Sequence, residues 1–227
     1  MVQLHNITNE KVLNFDWDTF SAKLKKLIEY SSKISVVAIN ADRWEELLYA
    51  VLCNMNKTFE GGKPRWILGS HKPGTDIWID KFAISAKSGN LQNNNLIISS
   101  YRLTRFNDIE EMKDFIDSPE GKNYDIYLCC ARTDNRNGSR TYTVFLVDAD
   151  VFHANELNWE DMHLRNGGSH SGWRGTNNEG VKVEIRRKMS NQLWLSLPLN
   201  LCNKLVEITI SKENLGSEAG NILENER

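Results

Sequence analysis

The 227-residue sequence predicts one α/β domain in which a mixed central sheet is flanked by helices. Three observations carry that expectation. Apolar residues recur with helical spacing in the first quarter of the chain and again around Met112. Most of the remainder consists of short runs rich in β-branched and aromatic residues. No repeat or linker interrupts residues 1–211, so a single core is expected there, followed by a frayed or disordered tail over 212–227.

In chain order, residues 18–30 put Phe20, Leu24, Leu27 and Ile28 on one helical stripe, backed by Lys23, Lys25 and Lys26, with Asp16 or Asp18 as the cap. The lysines read as a solvated face, with phosphate contact as the alternative. Residues 34–39 read as a short buried strand or connection. Asn40 then caps a second helix whose Trp44, Leu47, Leu48, Val51 and Leu52 fall at i, i+3, i+4, i+7 and i+8. Glu45 lies at the margin of that stripe. Trp66, Ile67 and Leu68 form a strand entering a hairpin over residues 72–89, and residues 91–106 resume as a strand with an asparagine-rich lead. Residues 108–117 form a helix with Ile109, Met112, Phe115 and Ile116 inward. Residues 125–131 and 142–147 are buried strands joined across Asn137 and Gly138, a strong hairpin signal. Residues 158–180, glycine-rich and polar, predict a long recognition loop. Two strands around Met189, Ser190 and Asn191 follow.

The hairpin, KPGTDIWIDKFAISAKSG, carries the chemistry. Its second strand stops at Ser88 and Gly89. Side chains alternate along a strand, so Ser85 and Lys87 share one face while Ile84 and Ala86 share the other. Pairing of the two strands brings Asp76 to Lys87 at a sheet edge. A carboxylate and an ammonium held there can bind a divalent cation and orient a water. An ordinary cross-strand ion pair is the alternative.

Gly74, Thr75 and Asp76, then eight residues, then Ser85, Ala86 and Lys87 form a pattern that resembles the active-site hairpin of the PD-(D/E)XK nucleases, the family of most type II restriction endonucleases. Thr75 stands where the family often has proline, and Ser85 where it usually has Asp or Glu. The resemblance covers residues 40–106 and implies a restriction-endonuclease-like fold, Mg2+ as cofactor, double-stranded DNA as substrate, and a homodimer cutting a palindromic site. In that scheme Asp76 holds Mg2+, Lys87 positions or polarises the attacking water, Ser85 replaces the usual acid, and the Ala86 carbonyl is a further ligand. Related nucleases often carry a metal-linked glutamate on the helix before the hairpin, which makes Glu45 the candidate. A first-turn acid favoured by the helix dipole is the alternative. Asp80 is a fallback acid, or turn chemistry. Within the family, the length and the asparagine- and lysine-rich composition resemble those of rare cutters of AT-rich sites.

Candidate DNA contacts lie on two stretches. Arg132, Arg136 and Arg140 surround the Asn137–Gly138 turn with a single acid, Asp134, among them. Residues 158–180 hold Arg165, His170, Trp173, Arg174, Asn177 and Asn178, a mixture suited to phosphates and base edges. From 165 to 188, six lysines and arginines stand against two acids, a basic stretch that the overall charge of −2 conceals.

Other chemistries fail on spacing. The GSHSG string at 168–172 has His170 where a nucleophile elbow needs serine. The five histidines form no compact metal pattern, and no phosphate loop or dinucleotide fingerprint is present. Four cysteines without a CxxC spacing point to reduced thiols. With no basic-then-apolar start and no spanning-length apolar run, a soluble cytoplasmic protein without membrane contact is expected. A structure-specific or repair nuclease with the same site and a non-catalytic DNA-binding module are the alternatives.

Overall fold

The computed structural model describes residues 2–55, 63–67, 74–79, 82–164 and 168–219 of the chain. Helices α1 (Glu10–Leu13), α2 (Trp17–Ile34) and α3 (Ala41–Met55) come first. Strands β1 (Arg65–Trp66), β2 (Ile77–Ile79), β3 (Phe82–Gln92) and β4 (Asn95–Arg102) follow, then α4 (Ile109–Asp117). The chain continues with β5 (Ile126–Asp134), β6 (Arg140–Asp148), β7 (Asn158–His163), β8 (His170–Thr176), β9 (Lys182–Arg186), β10 (Gln192–Pro198) and β11 (Asn203–Ile210). The helices start where short polar side chains meet orphan N–H groups. Asp16 accepts from Thr19 N at 2.9 Å, Asn40 from Arg43 N at 2.9 Å and Asp108 from Glu110 N at 2.8 Å.

The strands join in one sheet ordered β11-β6-β5-β3-β4-β10-β9-β8-β7, with β2 beside the start of β3 and β1 beside β2. The β3–β5 pair is parallel and the other pairs are antiparallel. That parallel pair needs a crossover, which the chain makes through β4 and α4. The protein is therefore mixed α/β, with a large mixed sheet flanked by helices.

Alternation along the strands divides the core in two. Phe82, Ile84 and Ala86 of β3 and Leu128 and Cys130 of β5 face α2 and α3. Ala83 of β3, Tyr127 and Cys129 of β5, and Leu96 and Ile98 of β4 face α4. Each fully buried aliphatic side chain contributes about 1.5–3 kcal/mol. Trp44 is buried completely and donates Nε1–H to the Leu128 carbonyl at 2.9 Å, which fastens α3 to the sheet without an orphaned donor.

The structure corrects several expectations. Within residues 158–180, Asn158–His163 and His170–Thr176 are the paired strands β7 and β8, not a long loop, and 165–167 lie outside the described residues. Glycines there serve close packing: a Cβ on Gly172 (φ +143°) would sit 1.9 Å from the Ile185 carbonyl oxygen, so β8 and β9 approach only through glycine. Residues 34–39 are not buried as a unit, since Val36 and Val37 are 65% and 72% exposed and only Ile39 enters the core. β3 does not stop at Gly89; it runs on to Gln92 and turns through Asn93 and Asn94, both with positive φ as a two-residue hairpin requires. The tail expected to fray is docked over residues 212–219, where Gly216 N donates to Ser32 O at 2.8 Å and Glu218 N to Lys33 O at 2.9 Å. Residues 220–227 lie outside the described residues. β11, which no motif announced, pairs with β6 at one end of the sheet. All four cysteines are free, and no helix among the described residues is long and apolar enough to cross a membrane.

Candidate active site

β3 changes partners halfway along its length. Pairing with β2 ends at Ile77 with Ile84, and pairing with β4 begins only at Gly89 with Ile98. Between those points, residues 85–88 keep β5 on one edge and, among the described residues, have no strand on the other. Asp76 fills the start of that opening. Its backbone N–H donates to the Ile84 carbonyl at 2.9 Å, and its own carbonyl accepts from Ile67 N at 2.9 Å. Its side chain then reaches along β3, where Oδ2 accepts from Ala86 N at 2.7 Å and from Lys87 Nζ at 3.0 Å. One carboxylate oxygen thus replaces the missing strand. The Ala86 carbonyl leaves β3 on the same edge as its N–H, toward the opening.

The opening widens into a cleft of about 390 Å³ bordered by Asp42 and Glu45 of α3, Asp76, Lys87, Arg102 and Gln192, among others. Asp76 and Lys87 are 20% and 17% exposed, enough to be touched from the cleft and too little to move freely. The amino end of α3 points at this space, adding the positive end of a helix dipole. Glu45 is half-buried at the cleft wall and accepts from Trp66 Nε1 at 3.1 Å. Burial pushes its carboxyl above the ordinary range; the Trp66 hydrogen bond opposes this, and the Asp76 charge adds to it.

Ser85 does not occupy the position of an acid in the cleft. It is 1% exposed, and its Oγ lies 3.3 Å from both the Gly74 carbonyl and Asp76 Oδ2, able to donate to either. It packs against the turn that carries Asp76 and does not border the cleft. Thr75 locks the same turn by donating to the Asn123 carbonyl at 2.5 Å. Gly74 suits this turn because its φ of +127° is one that L side chains rarely adopt, and a Cβ there would also press on the Asn123 side chain at 2.2 Å.

The expected metal ligands come together in part. Asp76, Glu45 and the Ala86 carbonyl border one space, and Mg2+ prefers such hard oxygen donors. The bonds to Asp76 and Glu45 named above use Oδ2 and Oε2, and among the described residues Oδ1 and Oε1 accept no hydrogen bond. Among the described residues no cluster of three or more His, Cys, Asp or Glu side chains is present, so two carboxylates and one carbonyl are the donor set. It fits a hard cation that keeps several waters.

The expected DNA contacts scatter. Arg140 donates to Asp134 Oδ1 at 3.0 Å and to the Val36 carbonyl at 3.2 Å, and Arg132 pairs with Asp134 at 3.2 Å. Burial of Arg140 favours loss of its proton, but its bonds to Asp134 and Tyr142 override this and hold it charged. Neither these two nor Arg136 borders the cleft. Trp173 packs on the α4-side core instead of projecting toward a partner. Arg187 can only donate, so the contact of its Nη1 with His170 Nδ1 at 3.1 Å puts the histidine proton on Nε2, which faces Asp161 at 3.3 Å. Asn177 accepts from Glu179 N and Val181 N and shapes the β8–β9 turn, with Asn178 exposed beside it. Arg174 alone of this group joins a second hollow on the sheet. Arg165 and Asp80 lie outside the described residues. Trp66 and Asn123, which position Glu45 and the Asp76 turn, carry no sequence signal of that role.

The fold and the site define a mixed α/β protein with a lysine–carboxylate cleft at a break in its sheet. Comparison of the chain with protein-family models, with curated proteins and with solved structures gives no match.

Proposed function

We propose that the protein is a Mg2+-dependent endonuclease of the PD-(D/E)XK type, with a restriction-endonuclease-like fold, making double-strand cuts at a specific DNA site. The observation that carries this reading is the convergence of Asp76, Lys87 and Glu45 at the one stretch of β3 left open between β2 and β4. An ion pair of purely structural origin needs no cleft beside it and no third charged group on the wall.

Phosphodiester hydrolysis requires an aligned water and stabilisation of charge on the phosphoryl oxygens. Mg2+ held by Asp76, Glu45 and the Ala86 carbonyl supplies Lewis acidity at that phosphate. Lys87, fixed by Asp76 Oδ2, presents further donors to a water or a phosphate oxygen, and its compact ammonium suits both tasks. Ser85 and Thr75 keep the Asp76 turn from drifting, and an error of about 1 Å in such a site costs about a hundredfold in rate. Each chain offers one cleft, so cutting both strands of a duplex calls for a two-fold homodimer.

Incubation of supercoiled plasmid with the protein and Mg2+ tests the reading. Discrete fragments are expected. Smearing or cutting only at branched DNA shifts the assignment to a repair nuclease, and binding without cleavage shifts it to a DNA-binding module.

A further inference from the structure

Resting on the nuclease reading, we infer that the helix-free face of β4, β10, β9 and β8 is the binding surface for duplex DNA, and that Arg174, Arg186 and Lys182 are its phosphate- and base-contacting cations. α2 and α3 cover this side of the sheet only over β11, β6, β5 and the first half of β3. Beyond Ala86 no helix among the described residues lies on this face. Alternation turns Leu96, Ile98, Val183, Ile185, Leu193 and Leu195 toward α4, which leaves Gln92, Ser99, Lys182, Arg186, Gln192 and Trp194 on the opposite, solvent side.

Two hollows mark that side. One is the Asp76–Lys87 cleft, with Ser99 and Gln192 on its rim. The other, about 260 Å³, is bordered by Gln92, Arg174, Lys182, Arg186 and Trp194. They adjoin: Trp194 is the cross-strand neighbour of Ser99. A single track therefore leads from the reacting groups across four strands.

The second hollow is built, not incidental. Glu184 Oε1 accepts from Arg174 Nε and Nη2 at 3.0 and 2.9 Å, and its Oε2 accepts from Arg186 Nε at 2.9 Å. Arg186 also lies over the Trp194 ring at 4.6 Å, while the buried Trp194 indole N–H has no hydrogen-bond partner among the described residues. Burial would raise the Glu184 carboxyl, but the two arginines hold it below the usual range, so both forks are oriented before any ligand arrives. Donors remain on each fork for phosphate or for a base edge. Lys182 is exposed and forms no ion pair among the described residues. Three cations thus border the hollow against one lining acid, Glu184, with Glu160 a second and more distant partner of Arg174 at 3.5 Å. That balance fits a polyanion. From β3 to β8 there are four inter-strand steps, roughly 19 Å at ~4.8 Å each. A duplex laid across them is contacted out to about five or six base pairs from the cut at ~3.4 Å per step.

The test uses Lys182→Glu, which gives up no internal partner, against Arg136→Glu on the β5–β6 hairpin as a charge-matched control. Binding of a short labelled duplex of mixed sequence is followed by fluorescence anisotropy across a salt series, each variant carried on Lys87→Ala to prevent cutting. Plasmid cleavage is read in parallel on the same variants with Lys87 intact. The inference expects Lys182→Glu to weaken binding about tenfold and to reduce the salt slope by about one, with Arg136→Glu near the parent. It also expects Gln92→Ala to change which plasmid sites are cut while the chain stays folded. Equal loss from both charge reversals, or none from Lys182→Glu with plasmid cleavage intact, overturns the surface assignment and leaves the nuclease reading standing. Absence of both binding and cleavage in the parent removes both.

Discussion

Asp76 is held more tightly than an ordinary surface carboxylate, because Oδ2 stands in for a strand by accepting from Ala86 N and Lys87 Nζ. Such charge-assisted bonds fix a geometry that sequence alternation already implied. The meeting of Asp76 and Lys87 was legible in the chain because a tight turn and strand alternation bring the two side chains to one sheet edge, whereas Ala86 and Glu45 were named only through the family resemblance. Trp66 and Asn123 were not legible: they lie 21 and 48 residues from the groups they hold, and no local pattern encodes such a contact. The burial of Ser85 was not legible, because a position in the motif says nothing of depth. Placing an acid there, Ser85→Asp, puts two anions side by side in a buried turn. It is expected to destabilise the metal-free protein by about 2 kcal/mol or more, measured by urea unfolding, with part of the loss recovered on adding Mg2+. Glu45 gives a pH test. A carboxyl raised in the folded state binds its proton more tightly there than in the unfolded chain, so its contribution to stability falls as pH climbs from the ordinary glutamate value through the raised one. Glu45→Gln is therefore expected to flatten the pH dependence of unfolding just above the ordinary range and to leave the neutral, metal-free protein at least as stable, while Mg2+ affinity measured by calorimetry drops.

At the scale of elements, the decisive feature is the exchange of partners along β3. The hairpin reading captured its first half, and the second half was hidden by Gly89, which reads as a stop. In the fold that glycine permits β4 to come close, since a Cβ would lie 2.5 Å from the Ile97 carbonyl oxygen. The same physics hid the β7–β8 hairpin. Glycine and polar residues dominate its composition, but Gly172 and Gly175 are contact points between backbones and rings, and the strand signal of Trp159, Met162 and Trp173 is too sparse to stand out. Gly172→Ala is expected to cost about 2–4 kcal/mol, from both the positive φ and the clash with Ile185, and to weaken DNA binding through misplacement of Arg174. A denaturation midpoint within error of the parent would show that β8 does not need that approach.

For the whole molecule, the class was legible from the division between helical and strand-like runs, whereas the sheet order was not. Among the described residues only the β3–β5 pair is parallel, and strands as distant as β4 and β10 become neighbours through long-range packing that no single stretch records. The sheet is wider than the helical layer on one side, and the step between covered and bare halves is where the cleft lies. If two such molecules embrace a duplex, supercoiled plasmid is expected to pass to linear form with little nicked circle accumulating. Persistent nicked intermediate in a time course would indicate that the clefts act independently. The most direct measurement pairs cleavage with binding for Lys87→Ala in Mg2+. The account predicts at least a thousandfold slower cutting, about 4 kcal/mol of lost transition-state stabilisation, with DNA affinity within a few-fold of the parent. Cutting by that variant at the parent rate would contradict it.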